Sequence, residues 1–224
     1  MSGFQTHAFV GAVSGLALVT LVETVRPELL PERIGMMPPI AGVPGGAGGA
    51  AVIVASAFLA LIPDIDEPNS FISRRVREVL TLAGVALGLA LGVVVRGPAW
   101  LPLATGAVGG AVGMLAGWAL LKVIRGAAGG HRRLTHSFVL AGLLAALAWA
   151  LALAGAGLVW LVPAALAWGI VIHCVGDLVT PAGVPLLFPL SDAKIRVMPE
   201  PMCRYGEALI FLVASGVGWL LLNM

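Results

Sequence analysis

The chain has 224 residues, 59% of them hydrophobic and 11% charged, with a mean hydropathy of +1.02. Soluble domains carry about a quarter charged residues, so the composition excludes an ordinary water-soluble fold and indicates an integral membrane protein. A net charge of +2 gives no bulk electrostatic ground for nucleic-acid binding, and two cysteines without a CxxC, Cys174 and Cys203, exclude a disulfide framework or zinc ribbon and read as small packing residues.

Crossing a bilayer takes about 20 apolar residues in a helix. Seven stretches approach this, predicting an all-α polytopic bundle of about seven transmembrane helices in one domain over residues 1–224. The first is Phe9–Val22, with Thr6 and His7 at its mouth. Met1–His7 contains no Lys or Arg, hence no basic signal-peptide region, so this helix is expected to be retained. Glu23–Gly49, rich in Pro and Gly, reads as a loop or re-entrant segment. Ala50–Ile62, extended backwards through Gly48, ends at Pro63-Asp64-Ile65-Asp66-Glu67-Pro68-Asn69. Val79–Val95, Trp100–Ile124, Ser137–Ala154, Leu158–Asp177 and Glu207–Leu222 complete the set.

Glycine rows support close helix packing. Gly84, Gly88 and Gly92 recur every four residues, as do Gly109, Gly113 and Gly117, and Gly11 pairs with Gly15. Small residues at this spacing let helix backbones approach in lipid. Lys and Arg set the orientation. With seven helices, ten of the 13 basic residues fall on the N-terminal side: Arg74, Arg75, Arg77, Lys122, Arg125, Arg132, Arg133, Lys194, Arg196 and Arg204. That side is expected to be cytoplasmic. The chain is then expected to be a multi-pass membrane protein with its N-terminus inside.

His173 and Asp177 stand i, i+4 at the end of an apolar helix and share one face. Ionisable groups are costly to desolvate there. A helix-end hydrogen bond would account for them, and so would a metal ion, since imidazole and carboxylate are the ligands that divalent metals take. In the seven-helix topology all four histidines (His7, His131, His136 and His173) fall at cytoplasmic helix ends or in the adjoining loops, with Asp64, Asp66, Asp177 and Glu207. Nothing requires every histidine to choose the same end, which favours a shared site over scattered helix caps. Asp64 and Asp66 point the same way if the stretch is extended, although a solvated turn is the commoner fate of such a segment. Arg132 and Arg133 read either as positive-inside residues or as a phosphate clamp. No GxSxG, HExxH, Walker loop or GxGxxG is present, so the chemistry indicated is metal-activated water at one or two divalent ions.

Four blocks carry a resemblance. They are Thr6-His7; Leu61-Ile62-Pro63-Asp64-Ile65-Asp66-Glu67-Pro68-Asn69-Ser70; His131-Arg132-Arg133-Leu134-Thr135-His136-Ser137; and His173-Cys174-Val175-Gly176-Asp177 running on to Pro189. In this order they resemble the YdjM family of bacterial and archaeal inner-membrane proteins, described as metal-dependent hydrolases. Two positions depart from the family pattern: Glu67 stands where a histidine is usual, and Arg133 where glycine is favoured. The order His7, Asp64, His136, His173, Asp177 is also distantly similar to the zinc-dependent phospholipase C group. That likeness implies zinc and phosphoester hydrolysis, with Asp177 bridging two metals. The later histidine of that group has no match here, and Glu207 is the nearest acid.

The resulting expectation is a membrane-embedded, metal-dependent hydrolase of a phospholipid or other lipid-borne phosphoester. Its ligands would be His7, Asp64, Asp66, His136, His173 and Asp177, around one or two ions, zinc before manganese or magnesium. Asp66, His131 and Asp177 are assigned to catalysis, His131 as ligand or general acid. Arg132 and Arg133 would orient phosphate, and Thr135, Ser137, Thr180 and Glu207 would steady the ligands. Its partners are a lipid substrate and the membrane, with no nucleic acid. The rival expectation is a metal-ion or proton transporter using the same cluster, but transporters place polar groups near the midplane.

Overall fold

Residues 3–25, 46–156 and 159–223 are described in the computed structural model. Among them the chain forms seven α-helices: α1 (Phe4–Val25), α2 (Gly46–Leu59), α3 (Phe71–Val94), α4 (Leu101–Ala127), α5 (Phe138–Leu153), α6 (Leu161–Asp177) and α7 (Gly206–Leu222). Most of the expected Glu23–Gly49 loop lies outside the described residues. Five segments are long and apolar enough to cross a membrane: Phe4–Thr24, Gly46–Asp66, Phe71–Val94, Leu101–Ala127 and Glu200–Leu222. Helices α5 and α6 have 16 and 17 residues, about 24–26 Å of helix against a hydrocarbon core of about 30 Å. Among the described residues the structure thus gives five helical segments of spanning length, α2 and α7 reaching it with their 3-10 turns, where hydropathy predicts seven crossings.

Helix boundaries differ from the hydropathy reading where charge or chain direction intervenes. Helix α3 begins at Phe71, well before Val79, because Ser70 caps it by accepting from Ser73 N at 3.1 Å. Arg74, Arg75 and Arg77 therefore lie on its first two turns and not in a loop. Arg and Glu are good helix formers, and a hydropathy window cannot see them as such. Likewise Lys122 and Arg125 lie on the last turns of α4. Helix α1 begins at Phe4, which puts Thr6 and His7 inside its first turn. Between α2 and α3 the chain tightens into a 3-10 helix, Ile62–Asp66.

The helices group into two compact units. The first comprises the chain up to Pro63 and from Arg132 onwards. In it α1 packs against α2, α6 and α7, α2 against α6, and α5 against α6. Gly11 and Gly15 form the α1–α2 contact: an added Cβ would lie 2.6 Å from the Ser56 carbonyl oxygen and 2.9 Å from Ile53 Cα respectively. A buried apolar cluster of Ala141, Ala167, Ile170, Cys174, Val184 and Leu186 joins α5, α6 and the segment after α6. That segment doubles back through an antiparallel bridge between Val184 and Ile195, with both N–H···O contacts at 2.9 Å. Its Leu186 carbonyl accepts from Phe138 N at 2.8 Å, at the start of α5. A further 3-10 helix, Glu200–Tyr205, leads into α7.

The second unit, Asp64–His131, is an antiparallel hairpin of α3 and α4. Its seam is the two predicted glycine rows. A Cβ on Gly84 would run into the Gly109 carbonyl, one on Gly88 into the Thr105 carbonyl, and one on Gly113 into the Leu80 carbonyl. The backbones touch directly, as small residues in lipid allow.

Candidate metal centre

Helix α6 carries the site on one face. Gly169, His173, Gly176 and Asp177 recur at helical spacing. Gly169 lets α6 approach the end of α2, since a Cβ there would collide with the Leu59 carbonyl. One turn on, the His173 Nδ1 lies 2.7 Å from the Ala60 carbonyl oxygen. That carbonyl is available for a covalent reason. Pro63 has no N–H, so the carbonyls one turn behind it lack a helical donor. A carbonyl only accepts, so Nδ1 carries the hydrogen and Nε2 of neutral His173 is the bare nitrogen.

Three further groups converge on it. The His136 Nε2 lies 3.1 Å from the His173 Nε2, while its Nδ1 is 2.9 Å from the Thr135 hydroxyl. His7, from the first turn of α1, stacks on His173 with ring centroids 3.9 Å apart. Its Nε2 is 3.4 Å from Asp177 Oδ1, and Gly176 makes room for the ring: a Cβ there would sit 2.8 Å from His7 Nδ1. Asp177 Oδ2 lies 3.6 Å from His173 Nε2 and 3.7 Å from His136 Nε2. All four residues are at most 2% exposed.

The charge of Asp177 is offset within the protein. Arg132 Nη2 is 3.1 Å from each carboxylate oxygen, and Nη1 donates to the Thr180 hydroxyl at 3.0 Å and the Gly183 carbonyl at 3.3 Å. Thr180 in turn donates to the Asp177 carbonyl at 2.8 Å. The Arg132 backbone has φ of 56°, a left-handed conformation costing a non-glycine residue about 1–2 kcal/mol, and the side-chain contacts hold it there.

These are the predicted blocks, now seen as geometry, and they belong to one recognisable lineage: the model of the YdjM inner membrane protein family matches residues 1–222. The chain belongs to that family. No curated protein and no solved structure matches it.

In this YdjM family member the remaining predicted site residues separate by role. Asp64, Asp66 and His131 lie in the second unit. There the buried Asp66 Oδ1 is 2.7 Å from His131 Nδ1, and Glu67 Oε2 is 4.0 Å from His131 Nε2. Asp66 thus engages a histidine directly. Arg132, expected to hold phosphate, is buried and spent on Asp177, Thr180 and Gly183. Arg133 is half exposed, over the Phe188 ring and 4.0 Å from Asp192. Thr135 contacts His136, and Thr180 contacts both Arg132 and Asp177. Ser137 lies against other groups: its hydroxyl donates to the Phe188 carbonyl at 2.5 Å and caps α5 by accepting from Val139 N at 3.0 Å. Glu207 accepts from Gly3 N at 2.7 Å, an exposed contact outside the cluster. The Ala60 carbonyl and Gly176 carry no residue-type signature of a site. Pro63 and the i, i+3 spacing of Gly176 from His173 were their only signals.

Proposed function

We propose that this protein is a metal-dependent hydrolase of lipid-borne phosphoesters, with His7, His136, His173 and Asp177 holding a divalent cation. One observation carries the reading. Four separations among their nitrogen and oxygen atoms are 3.1–3.7 Å, with His7 facing Asp177 Oδ1 and with His136 and His173 facing Oδ2, close to the edge of about 3.3 Å in a tetrahedron of bonds near 2.0–2.1 Å. The histidine partners fit as well: a metal-ligating imidazole donates its other N–H to a carbonyl or similar acceptor, as His173 does to Ala60. A purely hydrogen-bonded cluster would instead need a proton between the two Nε2 atoms, with the Thr135 hydroxyl donating to His136. The donor set, imidazole with carboxylate, is one that zinc takes readily.

A bound cation would lower the pKa of a water and polarise a phosphoryl oxygen. The protein's own contribution is orientation: Ala60 and Thr135 fix two rings, and Arg132 holds the carboxylate. The Asp66–His131 pair has the makeup of a proton-transfer couple, a buried carboxylate setting the tautomer of an imidazole. The lipid substrate follows from the family's membrane location and from placing these helix ends at the cytoplasmic headgroup level, with α5 and α6 counted as crossings in a locally thinned bilayer.

The test is metal analysis of the purified protein together with turnover. We expect about one equivalent of zinc or a similar ion, lost in His173→Gln and His136→Gln variants that keep their helical content. Phosphate-bearing headgroups should be released from lipid extracts only by the metal-loaded form. A folded, metal-free wild type that stays metal-free after incubation with zinc, manganese or magnesium would refute the site. Metal retention with ion flux into liposomes, and no lipid hydrolysis, would favour transport.

A further inference from the structure

We infer that the α3–α4 hairpin carries a binding site for the headgroup of an anionic phospholipid, built from residues of the second unit alone and independent of the proposed hydrolysis. The site is a cavity of about 560 Å³ at the end of the hairpin where α3 begins and α4 ends. Arg74 and Arg77 line it from α3, one turn apart, and Met114 and Trp118 line it from α4.

Its charge is net positive. Glu78 also lines the cavity, but its carboxylate is taken by Arg75 in a close ion pair. Arg77 is held in place: Nη1 donates to the Pro68 carbonyl at 2.8 Å, and the guanidinium lies 5.3 Å from the Trp118 ring centroid. Of its five N–H donors, most remain for an anion. The Arg74 side chain has no hydrogen bond or ion pair to the described residues, and Lys122 stands exposed one turn beyond Trp118. Two guanidinium groups suit a phosphate, whose oxygens they meet as planar forks.

Depth and lining choose lipid over free phosphate. Trp100 and Trp118 bracket about 27 Å of α4, close to the hydrocarbon thickness of about 30 Å, and tryptophan marks membrane interfaces. The arginines beside Trp118 therefore lie at headgroup level. Leu82, Met114 and Trp118 provide an apolar half to the cavity, which a glycerol backbone and the first methylenes of a lipid would cover and a hydrated phosphate ion would not. Basic pockets between transmembrane helices bind anionic headgroups in this way.

The experiment is native mass spectrometry of the full-length, delipidated protein in detergent, titrated with phosphatidylglycerol, phosphatidylcholine or inorganic phosphate. We expect phosphatidylglycerol to be retained at least fivefold over phosphatidylcholine. Arg74→Gln with Arg77→Gln should abolish that preference, whereas Lys194→Gln with Arg204→Gln, removing equal charge elsewhere, should keep it. Because Arg77 also holds Pro68, Arg74→Gln alone serves as the second variant and should lower the preference at least twofold. Equal retention of the two lipids, an unchanged preference in Arg74→Gln, or equal loss in the control pair would overturn the site. Displacement of phosphatidylglycerol by millimolar inorganic phosphate would overturn its assignment to lipid.

Discussion

Arg132 and Asp177 illustrate what a single contact decides. A buried carboxylate robbed of its guanidinium partner costs about 3–5 kcal/mol. Arg132→Gln should therefore lower thermal stability in detergent sharply, whereas a residue that merely met substrate would leave the melting temperature alone and raise KM. Ser137 makes the converse case. Ser137→Ala removes the α5 cap and should cost about 1 kcal/mol, with metal content unchanged; loss of metal at full stability would restore it to a ligand-steadying role. His7, His136, His173 and Asp177 were legible in the sequence because their chemistry is intrinsic to the side chain. The roles of Arg132 and Ser137 were not. Each depends on a partner about 50 residues away, Asp177 and Phe188, and no local pattern encodes that.

At the level of elements, the glycine rows were readable because a small-residue stripe has one physical use in lipid, close backbone approach. Helix starts were harder. Hydropathy finds the apolar part of α3 but not its charged first turns, and it places His7 at the mouth of α1 when the residue stands within it. The join of α2 to the 3-10 helix was visible as a proline. Its effect on His173 was not, because a missing N–H matters only through the neighbour that uses the vacant acceptor. Gly176 likewise reads as a common membrane glycine until the His7 ring is seen against it.

For the whole molecule, composition alone established a helical membrane protein, and five helices of spanning length agree with it. The number of crossings and the orientation rest on charge asymmetry, which is a statement about loops. They are checked by cysteine labelling, since both native cysteines are buried. On intact cells a membrane-impermeant maleimide should modify Arg96→Cys, between α3 and α4, and spare Asp192→Cys, after α6. Inside-out vesicles should show the reverse. Labelling of both positions from one side would require an odd change in the crossings between them.

If the cluster holds a cation as proposed, the arginine on Asp177 has one more consequence, for the lability of that ion. In small zinc domains the metal supplies the folding energy, and chelation unfolds the chain. Here the charge of Asp177 is already balanced by a fixed guanidinium, so the cluster would stay assembled without an ion. The carboxylate is shared, and its grip on a cation is correspondingly weaker. Chelators should empty the protein with no loss of helical circular dichroism, and different divalent ions should refill the same scaffold. Which metal it carries in the cell would then be set by supply more than by the fold.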